Sequence, residues 1–396
     1  MRLLFVLAVV LGVLTTPASM SGGAMAQGYR PKGPPPGFKG KGVRPASPGA
    51  KRPQSTGGPA TAPRFAVKDR GPLRPGGLRW IDMHMHLVPA RGSFSGAVIE
   101  ALKLMDRAGI ATAVVMPTPQ SSSAYTERQY TSLLKRHRSR FRWFGGGGDL
   151  NGIVHRTDPE KVTEAVRRDF VKRANAILDA GARGFGEMAV LHISFMSGHP
   201  FEETQADHPL FLALSDVAAA RNVIISMHID LVPKDGPTPA KVVAMGNPRR
   251  LRGNVEGFER LLAHNRGARI VLEHVGADPV GYATRDLLQR LVEAHPNLYL
   301  AIRAAPGTST EMSNLIVDTK GVLPAWLEFF ERYPGRFLFG TDTFAAASGA
   351  GAGAGTSFAA RNVNKLILHN RILGSLPKHI ARQIGVDNPR ELLGLN

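Results

Sequence analysis

The sequence contains no cysteine among its 396 residues. A disulfide framework and a lipidated thiol are therefore both excluded. The apolar run from Leu3 to Leu14 is too short for a membrane-spanning helix, which needs roughly 20 residues. Arg2 precedes this run, and Ala24-Met25-Ala26 follows it as a small-x-small cleavage pattern. We therefore predict a signal peptide over residues 1–26, export to the periplasm or the medium, and no transmembrane segment in the mature chain.

Acidic residues are nearly missing from residues 27–79, where Asp69 stands against twelve lysines and arginines. This segment carries +11 of the total formal charge of +19. It is rich in proline and glycine, and it has too few large apolar residues to offset the entropy of ordering the chain. We predict a disordered linker over 27–77. A solvated spacer is the favoured role, and weak electrostatic contact with an anionic lipid, polymer or nucleic acid is the alternative.

Apolar runs typical of strands alternate with amphipathic helical stretches through residues 78–396. The predicted strands are 78–86, 110–116, 141–147, 182–189, 223–228, 269–274, 298–303 and 336–342. The predicted helices are 96–109, 123–138, 158–181, 209–220, 254–265, 280–294, 323–333 and 357–370, with a closing segment at 376–393. Eight such pairs with nearly continuous apolar strands predict an α/β fold, a (β/α)8 TIM-type barrel.

A doubly wound open sheet is the alternative to the barrel. It is disfavoured because no Gly-x-Gly-x-x-Gly follows the first strand. The alternating Gly/Ala run at 349–355 follows the last strand and lacks the lysine of a phosphate-binding loop. We interpret that run as a flexible active-site loop.

Residues of the kinds that bind metals lie at the carboxyl ends of five predicted strands. His84 and His86 are two residues apart in a strand, so their side chains project to one face. The other strand ends supply Glu187, His228, His274 and Asp342. Burying such carboxylates unpaired would be costly, and a cation removes that cost. Any one histidine alone is more typical of a satisfied core residue. The set together predicts a site for a divalent metal, with Zn favoured over Mn or Fe.

This pattern resembles the amidohydrolase superfamily, and the closing stretch 384–395 resembles the ending of its amidohydrolase-related branch. That branch includes hydrolases, lactonases and decarboxylases of aromatic acids. The resemblance implies that His84, His86 and Asp342 bind a first metal ion. It also implies that His228 completes this site or binds a second ion together with His274.

Glu187 decides between one metal ion and two. Its position is similar to that of the bridging carboxylate in binuclear members, whereas mononuclear decarboxylases of the branch do not depend on a carboxylate there. The structural alternative is an ion pair of Glu187 with Arg183 or Arg303. One or two ions per chain therefore remain open from the sequence.

Three function classes follow from this site. The first is a metal-dependent hydrolase of a small ester, lactone, amide or phosphoester. The second is a metal-dependent decarboxylase of an aromatic or unsaturated carboxylic acid, and the third is a non-catalytic binding protein. In a hydrolase, Asp342 would act as the general base for the attacking water, and His274, if it is not a ligand, would stabilise the oxyanion.

The small-molecule substrate has its own candidate contacts at the same rim. Arg303 is suited to a carboxylate or phosphate, with an ion-paired arginine as the equal alternative. His155 and His192 are further candidates. For His192, His199 and His208 a surface position in the polar loop 191–208 is favoured. Met83 and Met85 alternate with the histidines, so we expect both to face the surrounding helices.

Overall fold

A computed structural model describes residues 77–119, 125–194, 200–304, 316–318, 321–347 and 354–395, with side chains from 361 onward in the last range. The signal-peptide prediction, nearly all of the linker prediction, His199 and most of the 349–355 run lie outside these residues. Among the described residues, no helix combines the length and apolarity that crossing a bilayer requires.

Thirteen strand segments form the sheets of the described residues. They are β1 (Trp80–Val88), β2 (Ile110–Val115), β3 (Phe141–Trp143), β4 (Gly145–Gly146), β5 (Gly184–His192), β6 (Glu202–Glu203), β7 (Ile224–Ile229), β8 (Gly236–Pro237), β9 (Arg250–Leu251), β10 (Arg269–Val275), β11 (Leu298–Ile302), β12 (Phe337–Phe339) and β13 (Thr343–Ala346). The short pairs β5–β6 and β8–β9 are antiparallel, and the other pairs are parallel.

Helices separate the parallel strands. They are α1 (Ser95–Ala108), α2 (Thr131–Lys135), α3 (Leu150–Arg156), α4 (Glu164–Asp179), α5 (Pro209–Ala220), α6 (Ala240–Val243), α7 (Val255–His264), α8 (Arg285–Ala294), α9 (Pro324–Arg332), α10 (Ala354–Ser375), α11 (Lys378–Arg382) and α12 (Asn388–Leu393). Local signals set their ends. The Thr163 hydroxyl accepts from the amide of Val166 where α4 begins, and α1 ends at Gly109, whose φ is 74°.

The strand order runs once around a barrel. One sheet has the order β13-β1-β2-β3, and the other has the order β12-β11-β10-β7-β5-β4. Only Phe144 separates β3 from β4, and only residues 340–342 separate β12 from β13. The two sheets therefore continue into each other through two interrupted strands, which gives eight parallel positions. The prediction of a (β/α)8 barrel is confirmed.

Of three apolar clusters in the described residues, two lie inside the barrel and between its strands and helices. The larger cluster packs the strands against the helices and contains Trp80 and Met85. The smaller one joins residues of neighbouring strands, such as Val114 and Val271, to Leu392 of α12. It also contains Met83, so the prediction that Met83 faces the helices is wrong, whereas Met85 lies in the strand–helix shell. The register between β1 and β2 shifts between Asp82 and Met85, which breaks the simple alternation on which that prediction depended.

Several predicted boundaries differ from the structure. The first strand ends two residues later than predicted, so His84 and His86 lie inside it. Within the described part of the helix predicted at 123–138, a 3-10 turn at Glu127–Gln129 is followed by the short α2. The Asp158-Pro159 signal starts only a 3-10 turn, and the long helix α4 begins after Thr163. The last predicted strand, 336–342, forms only as β12, and Asp342 lies in the gap between β12 and β13.

Candidate metal centre

The two histidines of β1 aim one ring nitrogen each at the same point. Their Nε2 atoms lie 2.9 Å apart, and both side chains are buried. The other ring nitrogen of each has an acceptor beside it. His86 Nδ1 donates to the carbonyl of Met116 at 2.9 Å, and His84 Nδ1 lies 3.0 Å from Glu273 Oε2. In a neutral ring, acceptors in these positions favour the proton on Nδ1 and leave Nε2 able to bind a metal ion.

Glu187 lies on β5 and divides its two carboxylate oxygens between two pairs of histidines. Its Oε2 is 3.5 Å from His84 Nε2 and 3.3 Å from His86 Nε2. Its Oε1 is 2.8 Å from His228 Nδ1 and 2.9 Å from His274 Nε2. The alternative of an ion pair between Glu187 and an arginine is therefore wrong, because histidines surround this carboxylate.

His228 and His274 come from the neighbouring strands β7 and β10. The second ring nitrogen of His228, Nε2, lies 3.5 Å from Asp230 Oδ2, and this carboxylate also accepts from the amide of Ile193. Asp230 therefore orients the ring so that Nδ1 points at Glu187. His274 has a left-handed backbone with φ of 65°, which is uncommon outside glycine and occurs where β10 and β11 lose their regular register.

Asp342 approaches the two histidines of β1 from the gap between β12 and β13. Its Oδ1 lies 3.5 Å from His86 Nε2 and 3.9 Å from His84 Nε2. Its Oδ2 lies 2.8 Å from Arg303 Nε and 3.2 Å from Lys365 Nζ. The backbone of Asp342 is also left-handed, with φ of 51°, so the residue turns its side chain into the cluster where the strand breaks.

Nearby charged groups shift the pKa values of the residues in this cluster. Burial alone would raise the pKa of Asp342, but the charges of Lys365 and Arg303 outweigh burial and hold that pKa below its ordinary value. Burial lowers the pKa of Lys365 to about 8 against the opposing effect of Asp342. Burial would likewise lower the pKa of His84, but the negative charges of Glu187 and Glu273 raise it well above its ordinary value. The cluster therefore attracts positive charge.

The residues fit a divalent cation. Two overlapping groups of donor atoms each lie within 4.8 Å of one another: His84, His86 and Asp342, and His84, Glu187 and His274. The two β1 Nε2 atoms face each other at a distance at which lone pairs repel unless a proton or a cation lies between them. Imidazole nitrogens combined with carboxylate oxygens are the donors that zinc, manganese and iron accept.

Sequence reasoning missed several supporting residues. Glu273 precedes His274, and strict strand alternation would turn it away from the histidines. The left-handed His274 and the broken register bring Glu273 against His84 instead, and Ser226 Oγ donates to its other oxygen at 2.7 Å. Lys365 reaches Asp342 from α10, and no sequence signal links these two residues. In the sequence, the position of Glu273 directly before His274 was the one feature that indicated a role for Glu273 at this site.

The predicted substrate-binding residues have different environments. Arg303 pairs with Asp342 rather than standing free. His155 lies on α3 with Nε2 2.9 Å from the carbonyl of Ala189. His192 ends β5 and is buried, with its ring 4.7 Å from that of His228. His208 is buried as the N-cap of α5. The surface prediction is wrong for His192 and His208, because β5 extends beyond its predicted end and His208 caps a packed helix.

We predict that Glu273→Gln lowers metal affinity by about 10–100-fold, because the neutral amide orients and polarises His84 more weakly than the carboxylate does. Competition with a chromophoric chelator measures this affinity. Glu259→Gln, a partly exposed glutamate bound to Arg290, is the control and leaves the affinity unchanged. Equal affinities in Glu273→Gln and the wild type would contradict the orienting role of Glu273.

Comparison with known proteins adds a family match. The family model described as Amidohydrolase matches residues 81–395. No curated protein matches the chain. Among solved structures, the chain is similar to the phosphotriesterase from Mycobacterium tuberculosis, with 14% identity over 80% of this chain and 94% of that one and a TM-score of 0.47.

Two further solved structures that match contain zinc. The atrazine chlorohydrolase from Arthrobacter aurescens shares 16% identity over 80% of this chain and 70% of that one, with a TM-score of 0.40. The N-acyl-D-glutamate deacylase from Bordetella bronchiseptica shares 19% identity over 58% of this chain, with a TM-score of 0.35. The match spans 47% of that deacylase, about half of its length.

Proposed function

The chain belongs to the Amidohydrolase family of metal-dependent hydrolases, and we propose that it hydrolyses a small ester, lactone, amide or phosphoester at two divalent ions bridged by Glu187. The metal we propose is zinc, with manganese or iron as substitutes, because histidine nitrogens and carboxylate oxygens provide the donors.

One observation carries the proposal of two ions. Each oxygen of Glu187 lies within 3.5 Å of the ring nitrogens of a different histidine pair. A carboxylate that bound a single ion would need only one of these two histidine pairs beside it. The first ion would be held by His84, His86 and Asp342 together with one oxygen of Glu187. The second would be held by His228 and His274 together with the other oxygen.

The chemistry requires a strong nucleophile near neutral pH. A bound divalent ion supplies it by lowering the pKa of its water from about 15.7 toward about 7 and by polarising the substrate oxygen. Asp342 accepts the proton of the attacking water and returns it to the leaving group. Arg303 and Lys365 hold Asp342 in its ionised form, which is the form that can accept a proton. Their ion pairs also fix its orientation.

His274 is assigned to metal binding rather than to oxyanion stabilisation. Its Nε2 is directed at Glu187 at 2.9 Å. Burial and the neighbouring charge of His228 lower the pKa of His274 to about 3, which is typical of a neutral imidazole. A neutral ring with Nε2 facing a carboxylate is suited to bind a cation between the two groups.

The position of Arg303 favours hydrolysis over decarboxylation. A decarboxylase of aromatic acids needs a positive group for the substrate carboxylate, and Arg303 was the candidate for that contact. Its ion pair with Asp342 supports a role in setting the charge of the catalytic carboxylate. A purely binding protein would gain nothing from an ionised aspartate fixed in this way beside the ligands.

We predict that the purified protein holds two equivalents of metal and that Glu187→Gln holds about one, because the amide replaces the bridging charge. Elemental analysis after removal of loosely bound ions measures both values. Glu202→Gln, which changes a buried glutamate on β6, is the control and retains two equivalents.

Other stoichiometries would contradict the proposal. One equivalent in the wild type, unchanged in Glu187→Gln, together with release of carbon dioxide from an aromatic carboxylic acid, would favour the mononuclear decarboxylase. No metal in either protein would defeat the assignment of the whole centre.

A further inference from the structure

A cavity of about 710 Å³ lies beside the amino-terminal ends of β3 and β5. The metal ligands of the barrel lie toward the carboxyl ends of the strands, so this cavity is at the opposite end. Its lining residues are Lys135, Arg138, Ser139, Phe141, Arg142, Trp143, Gly181 and Arg183. Four of these eight residues are cations, and none is acidic.

The positive charge of this cavity is not neutralised by the described part of the chain. Lys135, Arg138, Arg142 and Arg183 form no ion pair with a described carboxylate, whereas the neighbouring Arg140 pairs with Asp106 at 2.8 Å. Burial and the charge of Arg183 lower the pKa of the Arg142 guanidinium. Like charges held close together in this way favour the binding of an anion.

Contacts within the protein hold the side chains of the cavity wall in place. Arg142 donates to the backbone carbonyls of Arg138 and Phe141, which fixes its guanidinium along the wall. The Lys135 ammonium lies 5.7 Å from the centre of the Trp143 ring, which is buried. Trp143 Nε1 is a buried donor without a hydrogen-bond partner among the described residues. A buried donor of this kind is costly unless a ligand or water accepts from it.

We propose that this cavity binds a compact, multiply charged phosphate, such as a pyrophosphate group or a small phosphate ester. The planar guanidinium groups of arginine match phosphate oxygens in paired hydrogen bonds, and lysine adds a point charge. The concave shape and the buried floor of Phe141 and Trp143 favour a small soluble anion over a flat lipid surface. The site is independent of the metal centre and of the proposed hydrolysis.

Titration of the full-length protein with inorganic pyrophosphate tests this proposal. Calorimetry gives the affinity for pyrophosphate, and tryptophan fluorescence shows whether it binds beside Trp143. Trp80 and Trp326 are fully buried elsewhere, so the fluorescence change comes from Trp143 and disappears in Trp143→Phe. The double variant Arg142→Gln/Arg183→Gln binds at least about tenfold more weakly, because hydrogen bonds to charged groups are lost.

A charge-matched variant separates the cavity from the basic amino-terminal segment. Arg44→Gln/Arg52→Gln removes the same charge there and leaves pyrophosphate affinity unchanged. Melting temperature and metal content show that each variant is folded.

The proposal fails if the wild type does not bind pyrophosphate, or if both double variants bind it equally weakly. It also fails if pyrophosphate binding survives Arg142→Gln/Arg183→Gln because it occurs at the metal centre. A fourth contrary result is that Arg142→Gln/Arg183→Gln loses binding to phosphatidylglycerol vesicles but keeps its affinity for pyrophosphate. The last of these would make the cavity a membrane contact instead.

Discussion

Asp342→Asn lowers turnover at least about a hundredfold while most of the metal stays bound. General acid–base catalysis contributes roughly 10²–10⁴-fold, and asparagine can still offer an oxygen ligand but cannot take a proton. The structure strengthens the physical basis of this prediction. Asp342 directs one oxygen at His86 and the other at Arg303 and Lys365, so the substitution changes both the ligand charge and the proton acceptor.

Steady-state kinetics on a chromogenic ester or phosphoester, combined with metal analysis, measures the effect of Asp342→Asn. Asp149→Asn is the matched control, because Asp149 caps α3 and asparagine caps helices as well as aspartate does. Its turnover stays within about twofold of the wild type. Full activity in Asp342→Asn would remove Asp342 from the proton transfer.

Removal of the metal has the largest expected effect. Without the ions the chain has no means of activating water near neutral pH, so hydrolysis falls at least about a thousandfold, or several kcal/mol of transition-state stabilisation. The unfolding free energy falls as well, because removal of the metal leaves the buried carboxylates Glu187 and Glu273 without a cation beside them. An ion present at a thousand times its dissociation constant contributes about 4 kcal/mol, which corresponds to a melting temperature on the order of 5–10 °C higher.

Dialysis against a chelator followed by addition of single ions tests this prediction. Zinc or manganese restores both activity and melting temperature. Calcium serves as the control and restores neither, because it prefers oxygen ligands over imidazole nitrogens. Activity that persists after complete removal of metal would contradict the hydrolytic mechanism.

The convergence of candidate ligands on regular strands could be predicted from the sequence, because strand periodicity places their side chains. His84 and His86 are two residues apart in a continuous strand, and their convergence to 2.9 Å follows from that spacing. The sequence predicts Asp342 at the end of the last strand, whereas in the structure it lies in the gap that follows β12. Its ion pairs could not be predicted, because Lys365 approaches from a helix 23 residues later and only the packing of α10 brings it close.

Residues beside irregular backbone could not be predicted. Alternation placed Met83 among the helices, which is wrong because the register between β1 and β2 shifts next to it. The contact of Glu273 with His84 was not predicted, because it depends on the register shift between β10 and β11. Burial of His192 and His208 was missed for a related reason. Their polar surroundings in the sequence suggested a surface loop, whereas His192 extends β5 and His208 caps α5. The signal peptide and the disordered linker stay predictions.

The bridging position of Glu187 is the central claim, and anomalous X-ray scattering at the zinc edge from crystals of the zinc-loaded protein tests it most directly. The account predicts two peaks, one among His84, His86 and Asp342 and one beside His228 and His274, with an oxygen of Glu187 bound to each. A single peak, with Glu187 bound only to histidines, would contradict it.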